Sequence, residues 1–134
     1  MGTKNIMIKS TDFIGHLGIH INYESNIPVD VSLDVKEIHL DDLGHVSNGV
    51  YYTLLDIAIG SSVPTLPRDS SVTIDLHVEV FKRRNAEKLI CKAYGVHKEG
   101  KIGWGQGDII DEEGTLVARG MGTFKIMEGG RTNG

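Results

Sequence analysis

The chain has 134 residues, 40% of them hydrophobic, and a formal net charge of −4. That length supports a single domain, residues 1–134, with a real core, and the acidic balance excludes the basic footprint of a nucleic-acid partner. The lone cysteine, Cys91, excludes an intrachain disulfide, and no apolar run reaches the roughly 18 residues of a membrane span. Residues 1–10 carry Lys4 and Lys9 but no apolar stretch or cleavage site typical of a secretory signal. A cytoplasmic chain without a membrane partner is expected.

In chain order, residues 1–5 are expected to fray. Residues 11–17 read as a short helix ending near Gly15 or Gly18. Residues 19–23 alternate apolar and polar, as a half-buried strand does. Ser25-Asn26-Ile27-Pro28 is a turn signal, and residues 29–35 alternate again, so the two strands predict a hairpin.

The polar loop at 41–46 runs into the most informative stretch, an apolar helix predicted over residues 47–62 and about 24 Å long. Val50, Tyr51, Leu54, Leu55, Ile57, Ala58 and Ile59 leave it no polar face, which predicts burial all round. Asp56 stands in the middle of it. A carboxylate in such surroundings needs a partner, hydrogen bonds or a proton.

Pro64 and Pro67 end the helical pattern in a loop over residues 64–70. Residues 72–80 then alternate cleanly, which predicts Val72, Ile74, Leu76, Val78 and Val80 on one face and Asp75, His77 and Glu79 on the other. A basic turn at 82–86 leads to strands at about 88–97, 102–110 and 115–126, joined by turns at 98–101 and 111–114. The core is expected over about 13–127, with a disordered tail at 128–134.

Two strands, one buried helix and four antiparallel strands make an α+β plan. One sheet must curve around the helix. Gly103, Gly105 and Gly107 share one strand face and Gly120 and Gly122 another, as expected where a sheet approaches a helix closely.

Asp41-x-x-Gly44-His45-Val46-Ser47-Asn48-x-x-Tyr52 resembles the signature of the 4-hydroxybenzoyl-CoA thioesterase family, and Leu54-Leu55-Asp56-Ile57-Ala58-Ile59-Gly60 resembles the central helix of phenylacetate-pathway-type thioesterases. The resemblance covers about residues 13–127 and implies the hotdog fold, a curved antiparallel sheet wrapped around one central helix. It departs from the second group at 47–49, where His-Gly-Gly is usual and Ser47, Asn48 and Gly49 stand here, and at Asp41, where asparagine is usual. Acids therefore occupy both positions that different branches use for catalysis.

The activity implied is hydrolysis of an acyl-CoA thioester, with coenzyme A as part of the substrate and no cofactor. Such a reaction needs a carboxylate that attacks the carbonyl or activates water, and donors for the developing oxyanion. Asp56 is the first candidate carboxylate; Asp41 is the second, with the ordering of its own turn as the alternative role. By resemblance, the Asn48 N–H is the oxyanion donor with Gly49 beside it, at a helix end that also favours negative charge; Ser47 or Asn48 could instead cap the helix. The matching family histidine is positional, which places His45 beside the reacting groups rather than among them. Tyr52, one turn before Asp56, could line the pocket or belong to the core. Thr73 occupies a position where related thioesterases carry Ser or Thr near the mid-helix acid, although strand alternation turns it away from the helix. Arg83, Arg84, Lys98, Lys101, Arg119 and Lys125 are candidates for the phosphates of coenzyme A. The histidines lack metal-ligand spacing, and no metal is expected. The resemblance also implies self-association as a dimer or tetramer, with the site at the dimer interface. A hotdog dehydratase or hydratase and a non-catalytic acyl-CoA-binding module are the alternatives.

Overall fold

The computed structural model describes residues 3–6, 13–24, 27–64, 69–82 and 85–129. Its elements are β1 (Thr3–Ile6), α1 (Phe13–Leu17), β2 (Ile19–Glu24), β3 (Ile27–Asp34), a 3₁₀ turn (Glu37–His39), α2 (Asn48–Ser62), β4 (Ser70–Val80), β5 (Lys88–Glu99), β6 (Ile102–Asp111) and β7 (Leu116–Met127). The strands form one seven-stranded sheet in the order β1-β2-β3-β5-β6-β7-β4, antiparallel throughout. This is the hotdog arrangement.

Two expectations at the start of the chain are corrected. Residues 3–5 do not fray: they belong to β1, which pairs with β2 from Thr3↔Glu24 to Ile6↔Ile21. Ile27 and Pro28 lie in β3 rather than in a turn, while Ser25 and Asn26 fall outside the described residues. The β2–β3 register shifts where Pro28 enters it, and such an irregularity is where a strand tolerates a residue without an N–H. The helix α1 stops as expected, with Gly18 at φ +77 donating to the Gly15 carbonyl at 3.0 Å.

Helix α2 crosses the sheet and buries Val50, Tyr51, Leu54, Leu55, Ala58 and Ile59. They pack in one core with Leu33, Leu89, Ile109, Val117, Phe124 and Ile126. Each large apolar side chain buried there contributes about 1.5–3 kcal/mol relative to exposure. The predicted close approach of helix and sheet is present. A Cβ at Gly105 would lie 2.8 Å from Ile59 Cγ2, and one at Gly120 would lie 3.1 Å from Leu55 Cδ1.

The helix is not buried all round, however. Tyr52 is 48% exposed, and Thr53, Asp56 and Ile57 are half-buried. Its second face stays open, and the mid-helix carboxylate reaches solvent through it.

Strand β4 corrects the sequence reading most. Its register with β7 runs Thr73↔Phe124 and then Asp75↔Thr123, so Ile74 is an extra, bulged residue. A bulge reverses the side-chain alternation on one side of it. Val72 and Ile74 are 54% and 56% exposed, while Leu76, Val78 and Val80 pack against the core. Ser71 and Thr73 turn toward the helix, and Ser71 Oγ donates to the Gly60 carbonyl at 2.7 Å. β4 is also an edge of the sheet.

The later turns follow the sequence reading. Gly100 at φ +60 and Gly114 at φ +81 close the last two hairpins, and Asp111 Oδ1 accepts from the Glu113 and Thr115 N–H groups, both at 2.9 Å. Residues 65–68 of the predicted loop and 130–134 of the predicted tail fall outside the described residues. Among the described residues, no helix is long and apolar enough to cross a membrane.

Candidate active site

The loop before α2 is closed by one side chain. Asp41 Oδ1 accepts from the N–H groups of Leu43 at 2.9 Å and His45 at 3.0 Å. The Asp41 N–H donates to the His45 carbonyl at 2.7 Å, and Gly44 takes the left-handed φ of +81 that this tight turn requires. The loop hands the chain to Ser47, the N-cap, whose N–H donates to the His39 carbonyl at 2.8 Å.

The Ser47 hydroxyl makes no capping hydrogen bond. Asn48 and Gly49, the first two residues of α2, are exposed. A Cβ at Gly49 would meet only Ser47 Oγ, at 3.8 Å. Backbone donors that begin a helix have no intrahelical acceptor, and the helix dipole adds partial positive charge there. This end of α2 therefore presents donors to an anion from outside the helix.

Asp56 lies two turns further on. The Thr73 hydroxyl donates to Asp56 Oδ1 at 2.5 Å. The β4 bulge makes this contact, which simple alternation would forbid. Around the pair opens a cleft of roughly 430 Å³, walled by Phe13 and Ile14 of α1, by Tyr52, Thr53, Asp56 and Ile57 of α2, and by Thr73 and Leu76 of β4. The cleft is apolar except at Asp56, its partner Thr73, and the hydroxyls of Tyr52 and Thr53. It suits a greasy group tethered to a polar centre.

The structure thus brings together Asp56, Thr73 and Tyr52. It keeps Asp41, His45, Ser47, Asn48 and Gly49 together at the helix N-terminus, and none of these five lines the cleft. Eight residues separate Asn48 from Asp56 on one helix, a rise of about 12 Å. A single carbonyl cannot touch both within one chain.

Phe13 and Ile14 were not singled out from the sequence. They sit on a five-residue helix with no buried residue, too short to carry a readable periodicity.

Lys98 is exposed at the end of β5, and Lys101 is exposed in the turn that follows. The neighbouring Gly103 packs on Val63, just past the C-terminus of α2. Both lysines are therefore at the opposite end of the helix from Asn48. Arg119 is paired with Asp108 at 2.7 Å, which holds its guanidinium even more firmly charged. Lys125 is exposed, and Arg83 and Arg84 fall outside the described residues. Cys91 is fully buried, and burial, reinforced by Asp108 and Asp30, pushes its thiol up to about 12. It is no nucleophile. Among the described residues no group of three or more His, Cys, Asp or Glu side chains could hold a metal ion.

No family model matches the chain, and no curated protein matches it in sequence. Solved structures do resemble it. A thioesterase from Haemophilus influenzae superposes with a TM-score of 0.77 at 21% identity, covering 88% of this chain and 84% of its own. A Bacillus halodurans protein crystallised with CoA gives 0.70 at 26% identity, covering 85% and 77%. A thioesterase family protein from Silicibacter pomeroyi gives 0.74 at 16% identity, covering 85% and 88%. These likenesses establish the hotdog fold shared with thioesterase-superfamily proteins.

Proposed function

We propose that this chain is an acyl-CoA thioesterase that works as a homodimer, with each active site shared between two copies. The observation that carries this reading is the Asp56 carboxylate, held by Thr73 in an otherwise apolar cleft. The CoA-bound neighbour and the thioesterase neighbours support the choice of substrate.

The acyl group enters the cleft and the thioester carbonyl stops beside Asp56. Thr73 occupies one carboxylate oxygen, which leaves Oδ2 for the reaction. Either that oxygen attacks the carbonyl carbon, or it takes a proton from a water that attacks. In the first route the C–S bond breaks, the CoA thiolate leaves and takes up a proton, and water then hydrolyses the mixed anhydride to free Asp56. Both routes place negative charge on the carbonyl oxygen, and the Asn48 N–H, with Gly49 beside it, receives that charge. In the water route the tetrahedral intermediate collapses, the C–S bond breaks, and the proton held by Asp56 passes to the sulfur. Carboxylic acid and free coenzyme A leave.

The 12 Å rise between Asn48 and Asp56 is why a second copy is required. Strand β4 offers the means, since it is an edge 11 residues long and carries exposed Val72 and Ile74. Pairing two such edges covers unpaired backbone groups and sets Asp56 of one copy toward Asn48 of the other. Asp41 shapes the loop that aims those donors, with His45 and Ser47 in the same turn. Lys98, Lys101, Arg83 and Arg84 are the cations proposed for the CoA phosphates.

Free-thiol release from short, long and aromatic acyl-CoAs tests this, using wild type, Asp56→Ala and Asp41→Ala. The reading requires that wild type release thiol and that Asp56→Ala lose most of that rate while keeping its assembly state. Loss only in Asp41→Ala would move the catalytic role to that acid. Binding without release would make the protein an acyl-CoA-binding module.

A further inference from the structure

One buried polar side chain has no part in the chemistry above. His39 is 1% exposed, at the end of the 3₁₀ turn between β3 and the Asp41 loop. Its Nδ1 accepts from the Lys36 N–H at 2.8 Å. A ring nitrogen that accepts carries no hydrogen, so in this neutral ring the proton sits on Nε2. Nε2–H then donates to the Leu17 carbonyl at 2.7 Å, 22 residues earlier in the chain. Leu17 is the last residue of α1.

The backbone of His39 makes a second link. Its carbonyl accepts from the Ser47 N–H at the N-cap of α2. One residue therefore ties the C-terminus of α1 to the start of the central helix. Among the described residues α1 buries none of its own: Ile14 and Leu17 are only partly buried against the core, and the chain runs on through Gly18 into β2. Yet Phe13 and Ile14 form one wall of the cleft, and Phe13 is 67% exposed.

We infer that His39 is a positioning residue for the acyl group: its Nε2–H···O=C bond to Leu17 holds the Phe13–Ile14 wall in register with the helix that carries Asp56 and Asn48. This rests on the thioesterase reading for its kinetic consequence, but not for its structural one. The wall meets the acyl chain, not the reacting carbonyl. Releasing it weakens substrate binding and blurs acyl selectivity while the chemical step is kept.

Two amides separate this role from a merely structural one. Glutamine places an amide N–H near the Nε2 position and can keep the bond to Leu17. Asparagine places its oxygen near the Nδ1 position and keeps only the bond from Lys36. The experiment compares His39→Gln, His39→Asn and wild type in kcat and KM over the acyl-CoA panel, with amide hydrogen exchange of residues 13–18 measured on the same proteins. His39→Asn should raise KM for the preferred acyl-CoA about tenfold with kcat nearly unchanged. It should also reduce the preference between acyl groups and speed exchange in α1, while His39→Gln stays close to wild type in all three.

Equal impairment of the two variants, a fall in kcat without a KM effect, or unchanged α1 exchange in His39→Asn would overturn the inference. If wild type cleaves no thioester, the proposed function fails. The exchange difference between the two amides then decides by itself whether His39 holds the wall.

Discussion

The Thr73 hydroxyl donates a 2.5 Å hydrogen bond to Asp56 Oδ1, joining an edge strand to the central helix across 17 residues of sequence. The bond fixes one carboxylate oxygen and orients the other. Thr73→Ser keeps the hydroxyl and should stay within a few-fold of wild type. Thr73→Val keeps the shape and loses the donor, and kcat for thiol release should fall about tenfold. Asp56→Asn removes the group that attacks or takes the proton and should lose at least about 10²-fold. Steady-state thiol release across the three variants checks this order.

Asp41 is the second acid, and its geometry predicts a different pattern. Its Oδ1 accepts from Leu43 and His45, a task an amide oxygen can also perform. Asp41→Asn should therefore keep the loop and most of the activity. Asp41→Ala leaves two backbone donors without this acceptor and should cost about 1–2 kcal/mol of stability, with a loss of activity as the loop that aims Asn48 relaxes. Denaturant midpoints and thiol release on both variants separate this from a catalytic role, in which Asp41→Asn would be as inactive as Asp41→Ala.

The contrast between these acids shows what the sequence made legible. Turn glycines, strand alternation and the apolar helix were enough for an antiparallel sheet curved around one helix, because burial imposes its period on local sequence; the resemblance at residues 41–60 supplied the hotdog fold. Thr73 was misplaced because a bulge at Ile74 leaves no trace in the alternation of 72–80; only pairing with β7 reveals the extra residue. Helix α2 was read as buried throughout because Ile57 extends the apolar run of residues 50–59 onto its second face, beside Tyr52, Thr53 and Asp56. That face opens on the cleft instead. The cleft wall on α1 and the bond from His39 to Leu17 depend on contacts between distant segments, beyond the reach of local pattern.

Cys91 offers a control that the thiol assay itself needs. Burial pushes its thiol up to about 12, so almost no thiolate exists at neutral pH. Native protein should leave a chromogenic disulfide reagent unreacted, and one thiol per chain should appear on denaturation. Rapid labelling of the native protein would contradict the packing of β5 against the helix.

Glu112 predicts a pH dependence away from the site. Its own backbone N–H, then those of Glu87 and Lys88, hold its carboxyl below the ordinary 4.5. Oε1 accepts from Glu87 at 3.0 Å and from Lys88 at 3.3 Å, where β5 begins. A lowered folded-state value means the charged form stabilises the fold. That contribution is present above the unfolded value and is lost as pH falls through the folded one. Glu112→Gln should be less stable than wild type at neutral pH, and the gap should close on acidification below 4.5. Urea midpoints measured across that range test the sign.

Subunit complementation tests the shared active site most directly. Asn48→Pro removes the leading N–H of α2 together with the Asn48 side-chain amide; the extended Ser47 before it, at φ −65 and ψ 142, accepts a following proline, and the first helical position favours one. Alone, this variant should fold and lose about 10²–10³ in kcat, and Asp56→Asn alone should be inactive as well. Co-expressed with different tags and purified as a heterodimer, the two variants leave one site with both groups intact. The account predicts recovery of roughly half the wild-type rate, since one of two symmetric sites is restored. A heterodimer as inactive as either parent would contradict it, because Asp56 and Asn48 would then have to act within a single chain.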